Sequence, residues 1–173
     1  MSSVRKRGIK LGIKNNLEIK EVEDFEDFWK EILTPNLAQK FKLKPVHTIQ
    51  EMTKLKQFFP KNIRQFNVYH NGEIVAGTTV FESKNVAHCQ YISTLESKNE
   101  LGGLDFLYHH LITEIFKHKP FFDFGNSNEN SGQHLNGGLS YWKESFGART
   151  IAHDYYEVNT LNFSFLTQIL INY

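Results

Sequence analysis

Cysteine occurs only once in this chain of 173 residues, at Cys89. A single thiol excludes an internal disulfide and fits a reducing cytoplasm. Cys89 stands mid-strand among apolar neighbours, so it is read as a buried structural thiol rather than a nucleophile. Long hydrophobic runs are missing too. None reaches the roughly 18 residues that a spanning helix needs, and no signal-peptide pattern opens the chain. Gly-x-Ser-x-Gly, Walker, Rossmann-glycine and Cys-x-x-Cys motifs are absent. That removes the hydrolase, nucleotide-binding and redox classes which those motifs serve. Internal repeats and low-complexity tracts are also lacking.

What is present is aromatic. Fifteen Phe and seven Tyr sit in a chain of ordinary hydrophobic (40%) and charged (23%) content. At this length the chain forms one domain with a normal core. The net charge of +1 conceals an asymmetry. Residues 1–20 carry Arg5, Lys6, Arg7, Lys10, Lys14 and Lys20 against Glu18 alone, while the rest holds 14 basic and 18 acidic side chains. This basic leader is expected as a solvated, poorly ordered end or the remnant of a linker. Contact with the phosphates of a nucleotide cofactor is the alternative.

Periodicity divides the remainder. Phe25, Phe28, Trp29 and Ile32 recur at helical spacing behind a capping Asp24, with Pro35 as a stop. Thr48 and Glu51 form a capping box ahead of Met52, Leu55 and Phe59. IRQFNVYH, Asn71-Gly72 and EIVAGTTVFES predict a hairpin, and NVAHCQYIST a third antiparallel strand. ESKNELGG reads as a polar loop, and LDFLYHHLITEIFKH (104–118) as a helix. FFDFG (121–125) is a short strand, HLNGGLSYWKESFG a helix and ARTIAHDYYEVN (148–159) a long closing strand. The tail LNFSFLTQILINY reads as a strand or a short helix. The fold class is α/β, a mixed, mostly antiparallel sheet with packed helices. A β-α-β unit across FFDFG implies one parallel pair.

Three constellations carry chemistry. In NELGGLDFL the two glycines precede a helix, freeing backbone N–H groups for an anion such as a pyrophosphate. After FFDFG, the run containing Asn126, Ser127 and Asn128 offers uncharged donors and acceptors at the end of a strand, where ligands gather in open sheets. The plainer reading is a long loop that caps helix ends. His88 and Gln90 share one face of a strand, and a polar pair there needs a partner or a ligand. His110, Glu114 and His118 also share a face, but beside Lys117 and Lys119 they read as a solvated surface, so no metal is expected.

With these pieces in order, residues 45–160 resemble the GNAT superfamily of acyl-CoA N-acyltransferases. They are most similar to the domain that superfamily shares with the Fem-type aminoacyltransferases of peptidoglycan bridge synthesis. The residues are PVHTIQEMTKLKQFFP with the following meander, NELGGLDFLYHHLI, and LNGGLSYWKESFGA. The resemblance implies one GNAT-like domain over residues 21–173, with helices on both sheet faces and acetyl-CoA or another acyl-CoA as co-substrate. Asn99, Leu101, Gly102, Gly103 and Leu104 then fall in the pyrophosphate loop, and Asn136 beside the pantetheine arm. Lys143 takes the place of a Tyr that protonates the leaving thiolate. His88 is the implied base, with Asp123 as the alternative, and Gln90 a positioning group. Asn126, Ser127 and Asn128 would meet the substrate. The implied partner is a small-molecule amine, an amino sugar or a cell-envelope precursor. Aminoacyl-tRNA enters only by analogy, and a homodimer through sheet edges is a further expectation. The alternative is a non-catalytic binding module, or one half of a split Fem-type enzyme.

Overall fold

The computed structural model describes residues 1–161; residues 162–173 lie outside the description, and with them nearly all of the expected terminal element. The order is α1 (Ser3–Lys14), β1 (Glu18–Val22), a π-helical turn (Phe28–Leu33) running into α2 (Thr34–Phe41), and α3 (Ile49–Phe58). Next come β2 (Ile63–His70), β3 (Glu73–Glu82), β4 (Val86–Thr94) and a 3-10 helix (Glu96–Leu101). The chain continues through α4 (Gly103–His110), a second π-helical turn (Leu111–Ile115) and β5 (Phe121–Asp123). It closes with the two-residue strands β6 (Asn128–Glu129) and β7 (His134–Leu135), then α5 (Gly137–Glu144).

Five strands form one sheet in the order β1-β2-β3-β4-β5. The first three pairings are antiparallel. The last is parallel, with Val86, Ala87 and His88 opposite Phe121, Phe122 and Asp123. That parallel pair and its helical crossover are what the β-α-β pattern requires. Helices cover both faces, as expected. On one, Tyr108 is fully buried as the hub of an aromatic cluster, with Phe124 stacked at 5.3 Å and Trp142 edge-on at 5.1 Å. On the other, Phe28, Trp29, Ile32 and Met52 pack against Ile63, Ile74 and Tyr91.

Several local expectations are realised. Thr48 Oγ1 accepts from Glu51 N at 3.2 Å, and Thr48 N donates to Glu51 Oε2 at 2.7 Å, closing the capping box. Others are corrected. The basic leader is α1, not a solvated end: Gly8, Ile9 and Gly12 are buried along it. Side-chain-free positions one turn apart let the helix lie close against α4. Pro35 does not stop its helix. Thr34 N donates to Trp29 O across the π-helical turn, and Pro35 stands in the first turn of α2, where no N–H donor is needed. β1 went unread because Glu18, Lys20 and Glu21 mask the inward Ile19, the composition of a guarded sheet edge. ARTIAHDYYEVN forms no strand, and Tyr155 is 95% exposed. Its residues suit a strand, but among the described residues no sheet edge pairs with it, and strand stability resides in cross-strand pairs.

A register shift in β4 shapes the site. Thr79 faces Tyr91 and Val80 faces Cys89, which leaves Gln90 as an extra, bulged residue. The bulge changes the strand's phase. Ala87 and Cys89 enter the Tyr108 core, whereas Tyr91 enters the opposite one and Ile92 returns to the first.

Candidate active site

The pairing of β4 with β5 ends at His88 and Asp123, so the two strands part directly before the bulge. Gly125, at φ 74°, turns the chain away in a conformation that side chains disfavour. The opening is a cleft of about 630 Å³, within the usual range for small-molecule sites. His88, Gln90, Ile92, Ser93 and Thr94 line it from β4, and Asn126, Leu139, Trp142 and Lys143 from the opposite side.

His88 is held at both ring nitrogens. Asp123 Oδ2 lies 2.7 Å from Nδ1, and Gln90 Oε1 lies 3.2 Å from Nε2. A carboxylate can only accept, so Nδ1 carries the proton and Nε2 is the basic nitrogen. Gln90 Oε1 matches a protonated ring, and a half-turn of the carboxamide presents its NH₂ to a neutral one. Gln90 therefore suits both charge states. Partial burial works to raise the Asp123 pKa, but the His88 hydrogen bond, the Gly125 N–H at 2.8 Å and the nearby positive charges leave it lowered. The carboxylate thus stays ionised beside the imidazole.

Lys143 is buried at 5% exposure, and its ammonium donates to Gly125 O at 2.9 Å and Asn126 O at 2.6 Å. Desolvation lowers its pKa, opposed by the charge of Asp123. Two of its three N–H donors are engaged by the turn that follows β5. Cys89 also borders the cleft, but burial pushes its thiol pKa up to about 12, so it holds no thiolate near neutrality.

The expected phosphate end is built from backbone. Gly102 has φ 78°, and a Cβ there would collide with the carbonyl oxygen of Gly8 in α1. Gly102 is thus required twice, by conformation and by close approach. The first N–H groups of α4 have no partner within the helix. Asn99 and Leu104 line the cleft beside them. Leu101, Gly102 and Gly103 shape this loop from behind. Asp105 fastens it. Asp105 Oδ1 accepts from Arg5 Nη1 and, at 3.3 Å, from Trp142 Nε1, tying α1, α4 and α5 together.

The structure gathers His88, Gln90, Lys143, Asn99, Leu104 and Asn126 around one cleft. Asn136 has a different occupation: its Oδ1 caps α5 at Leu139 N (2.9 Å) and its Nδ2 donates to Glu129 Oε1 (2.7 Å). Ser127 and Asn128 lie in the adjoining hairpin, outside the cleft lining. Sequence reasoning missed Asn36 and Ser93, which are hydrogen-bonded at 2.8 Å across one end of the cleft. Nothing local marks Asn36, because Pro35 reads as the end of the preceding helix. Ser93 escaped because period-2 reading cannot see a bulge.

The family profile of the acetyltransferase (GNAT) domain matches residues 7–143. The chain belongs to the GNAT acetyltransferase family. It is an acyltransferase, with N-acyl transfer from acyl-CoA as the general activity of the family. Among curated proteins, no sequence matches it significantly. Solved structures share the fold at low identity. A possible acetyltransferase from Clostridium difficile 630 aligns at TM-score 0.61 and 14% identity, covering 83% of this chain and 97% of that one. An aminoglycoside acetyltransferase from an uncultured soil metagenomic sample, in complex with sisomicin, aligns at TM-score 0.56 and 17% identity, covering 85% and 99%. FemX aligns at TM-score 0.67 and 10% identity, covering 84% of this chain and 54% of its own. Among the described residues, no helix is long and apolar enough to cross a membrane.

Proposed function

We infer that this GNAT protein transfers an acetyl or related acyl group from CoA to a small amine, with His88 as general base. The observation that carries this reading is the Asp123–His88–Gln90 array, set at the mouth of the parting strands. An ammonium acceptor must lose a proton before it can attack a thioester carbonyl. His88 Nε2 faces the cleft side of the array and can take that proton directly or through one water. Asp123 fixes the tautomer and stabilises the imidazolium that forms, which makes it a positioning residue for His88 in place of a base. The amine then forms a C–N bond to the carbonyl carbon, the C–S bond breaks, CoA leaves as a thiolate, and the proton remaining in excess on the amide nitrogen passes to that thiolate directly or through water. Acceptor and thioester held together in one cleft supply the remaining advantage through proximity.

Acyl-CoA fits with its pyrophosphate at the start of α4, where unpaired N–H groups and the helix dipole favour an anion. Asn99 and Leu104 flank that position. Lys143 acts in this reading as a clamp on the carbonyl oxygens of residues 125 and 126, shaping the cleft instead of protonating the thiolate. Elsewhere in the lining, Asn36, Ser93 and Asn126 offer uncharged hydrogen-bonding groups. These suit a hydroxyl-rich acceptor such as an amino sugar, the class that the sisomicin complex of the aminoglycoside enzyme exemplifies. Since acyl-CoA is the co-substrate, the cytoplasm is the compartment this reading assigns.

Calorimetric titration with acetyl-CoA tests the first half. Binding that weakens with salt is expected, because pyrophosphate contacts are electrostatic; no heat at millimolar ligand would sink the reading. His88→Ala tests the second half. It should lower kcat roughly a hundred- to ten-thousand-fold while leaving acetyl-CoA affinity intact. Unchanged turnover would remove His88 as the base.

A further inference from the structure

The exposed segment Lys40–Val46 contributes no side chain to the lining of the acyl-transfer cleft. From Ile32 to Gln50 the chain holds no acidic residue, and its centre reads Lys40-Phe41-Lys42-Leu43-Lys44-Pro45-Val46. α2 ends here: Lys42 adopts a left-handed conformation at φ 57°, and Leu43 N donates back to Leu37 O at 3.2 Å. This cap turns the following residues outward. Phe41, Leu43 and Val46 are 51%, 60% and 84% exposed, a concentration of apolar surface that the described residues leave uncovered. Lys42 and Lys44 are exposed between them.

Both ends of the projection are fastened to the body of the domain. Lys40 pairs with Glu96 at 3.5 Å. His47 N donates to Tyr91 Oη at 3.1 Å, and His47 O accepts from Trp29 Nε1 at 3.1 Å. Asn36, one turn before Lys40 in α2, reaches into the cleft itself. Whatever the projection touches is therefore held next to the cleft.

We propose that Lys40–Val46 is a peripheral docking loop for an anionic lipid surface. Charge complementarity and the alternation of cations with aliphatic groups support that occupant. Lysines beside a bilayer gain from anionic headgroups, while interleaved apolar side chains enter the acyl boundary. Nucleic acid would use the same cations, but it offers stacking for Phe41 alone and no apolar phase for Leu43 or Val46. Docking by this loop sets the cleft at the bilayer surface. It is independent of the acyl-transfer reading, since it needs neither His88 nor the α4 phosphate end.

The test is sedimentation of the whole protein with vesicles. Vesicles of phosphatidylcholine containing phosphatidylglycerol should carry the protein down, in a manner that salt reverses, and phosphatidylcholine alone should not. Lys42→Glu with Lys44→Glu should weaken binding by at least about five-fold per lysine, the effect of one cation near an anionic surface. Phe41→Ser with Leu43→Ser should weaken it roughly ten-fold or more. All four positions are exposed, so melting temperature and acetyl-CoA affinity should stay as they are. The proposal is overturned by equal binding to neutral and anionic vesicles, or by variants that bind like the parent. Tighter binding to single-stranded RNA than to anionic vesicles at matched salt overturns it as well.

Discussion

The two ends of the cleft are made of different material. The β4–β5 end depends on side chains: an imidazole, a carboxylate, a carboxamide and a buried ammonium, each with named partners. The α4 end depends on backbone, with Gly102 pressed against the Gly8 carbonyl and a helix start left open. Side-chain chemistry can be removed one group at a time. Backbone geometry is tolerant of most neighbours and intolerant of any atom in the wrong place. Substitutions at the first end should therefore reduce rate, whereas those at the second should disrupt the fold.

The largest effect is expected at the backbone end. Gly102→Val places a β-branched side chain at φ 78° and drives it into the α1 backbone. Left-handed strain alone is worth about 1–3 kcal/mol, and overpacking adds about 1–3 kcal/mol more. Thermal or urea unfolding should show that loss together with weakened acetyl-CoA binding, since α1 is levered off the start of α4. A variant with parental stability would show that α1 packs elsewhere in solution.

Lys143 comes next and sharpens the contrast, because its side chain acts on backbone. Lys143→Met keeps the length but strands two carbonyl oxygens, of Gly125 and Asn126. The loss should be about 1–3 kcal/mol. Relief of a buried charge whose pKa is already lowered offsets part of it. If the lysine is a clamp, kcat should follow the displaced loop modestly, with no change in the shape of the pH–rate profile. Loss of a basic limb in that profile would restore Lys143 as an acid.

This contrast also governs what could be read from sequence. The hairpin at Asn71-Gly72, the capping box at Thr48 and the parallel β5 were legible because each rests on local turn or capping chemistry, or on a period of apolar residues. His88 and Gln90 were legible as a polar pair on one strand face. The bulge at Gln90 was not, because one extra residue in a ladder leaves no compositional trace. α1 was misread for the opposite reason. Its five cations advertise solvent, while the informative residues are Gly8 and Gly12, whose meaning depends on what lies across from them. Asn136 was expected beside the pantetheine arm, and its side-chain oxygen caps α5. Strand-like residues at 148–159 show the limit from the other side: propensity without a partner edge gives no strand.

The smallest and most discriminating effect is that of Asp123→Asn. Asp123 has its pKa lowered in the folded protein, so its contribution to stability is present above the unfolded carboxylate range and is lost as pH falls through the folded value. The asparagine variant has no such group. The gap in melting temperature between parent and variant should therefore be widest near neutrality and close only as pH falls below the ordinary carboxylate range. Half of the Asp123 side chain is solvent-exposed, which keeps the gap small. Kinetics separate positioning from packing. Without the carboxylate, the imidazolium loses its counter-charge and Nδ1 is no longer fixed as the donor. The kcat plateau should fall, and the acetyl-CoA KM should hold. Asp123→Glu, which keeps the charge and the acceptor, should recover part of the lost kcat. If Asp123 only braces the Gly125 turn, both variants lower the plateau alike.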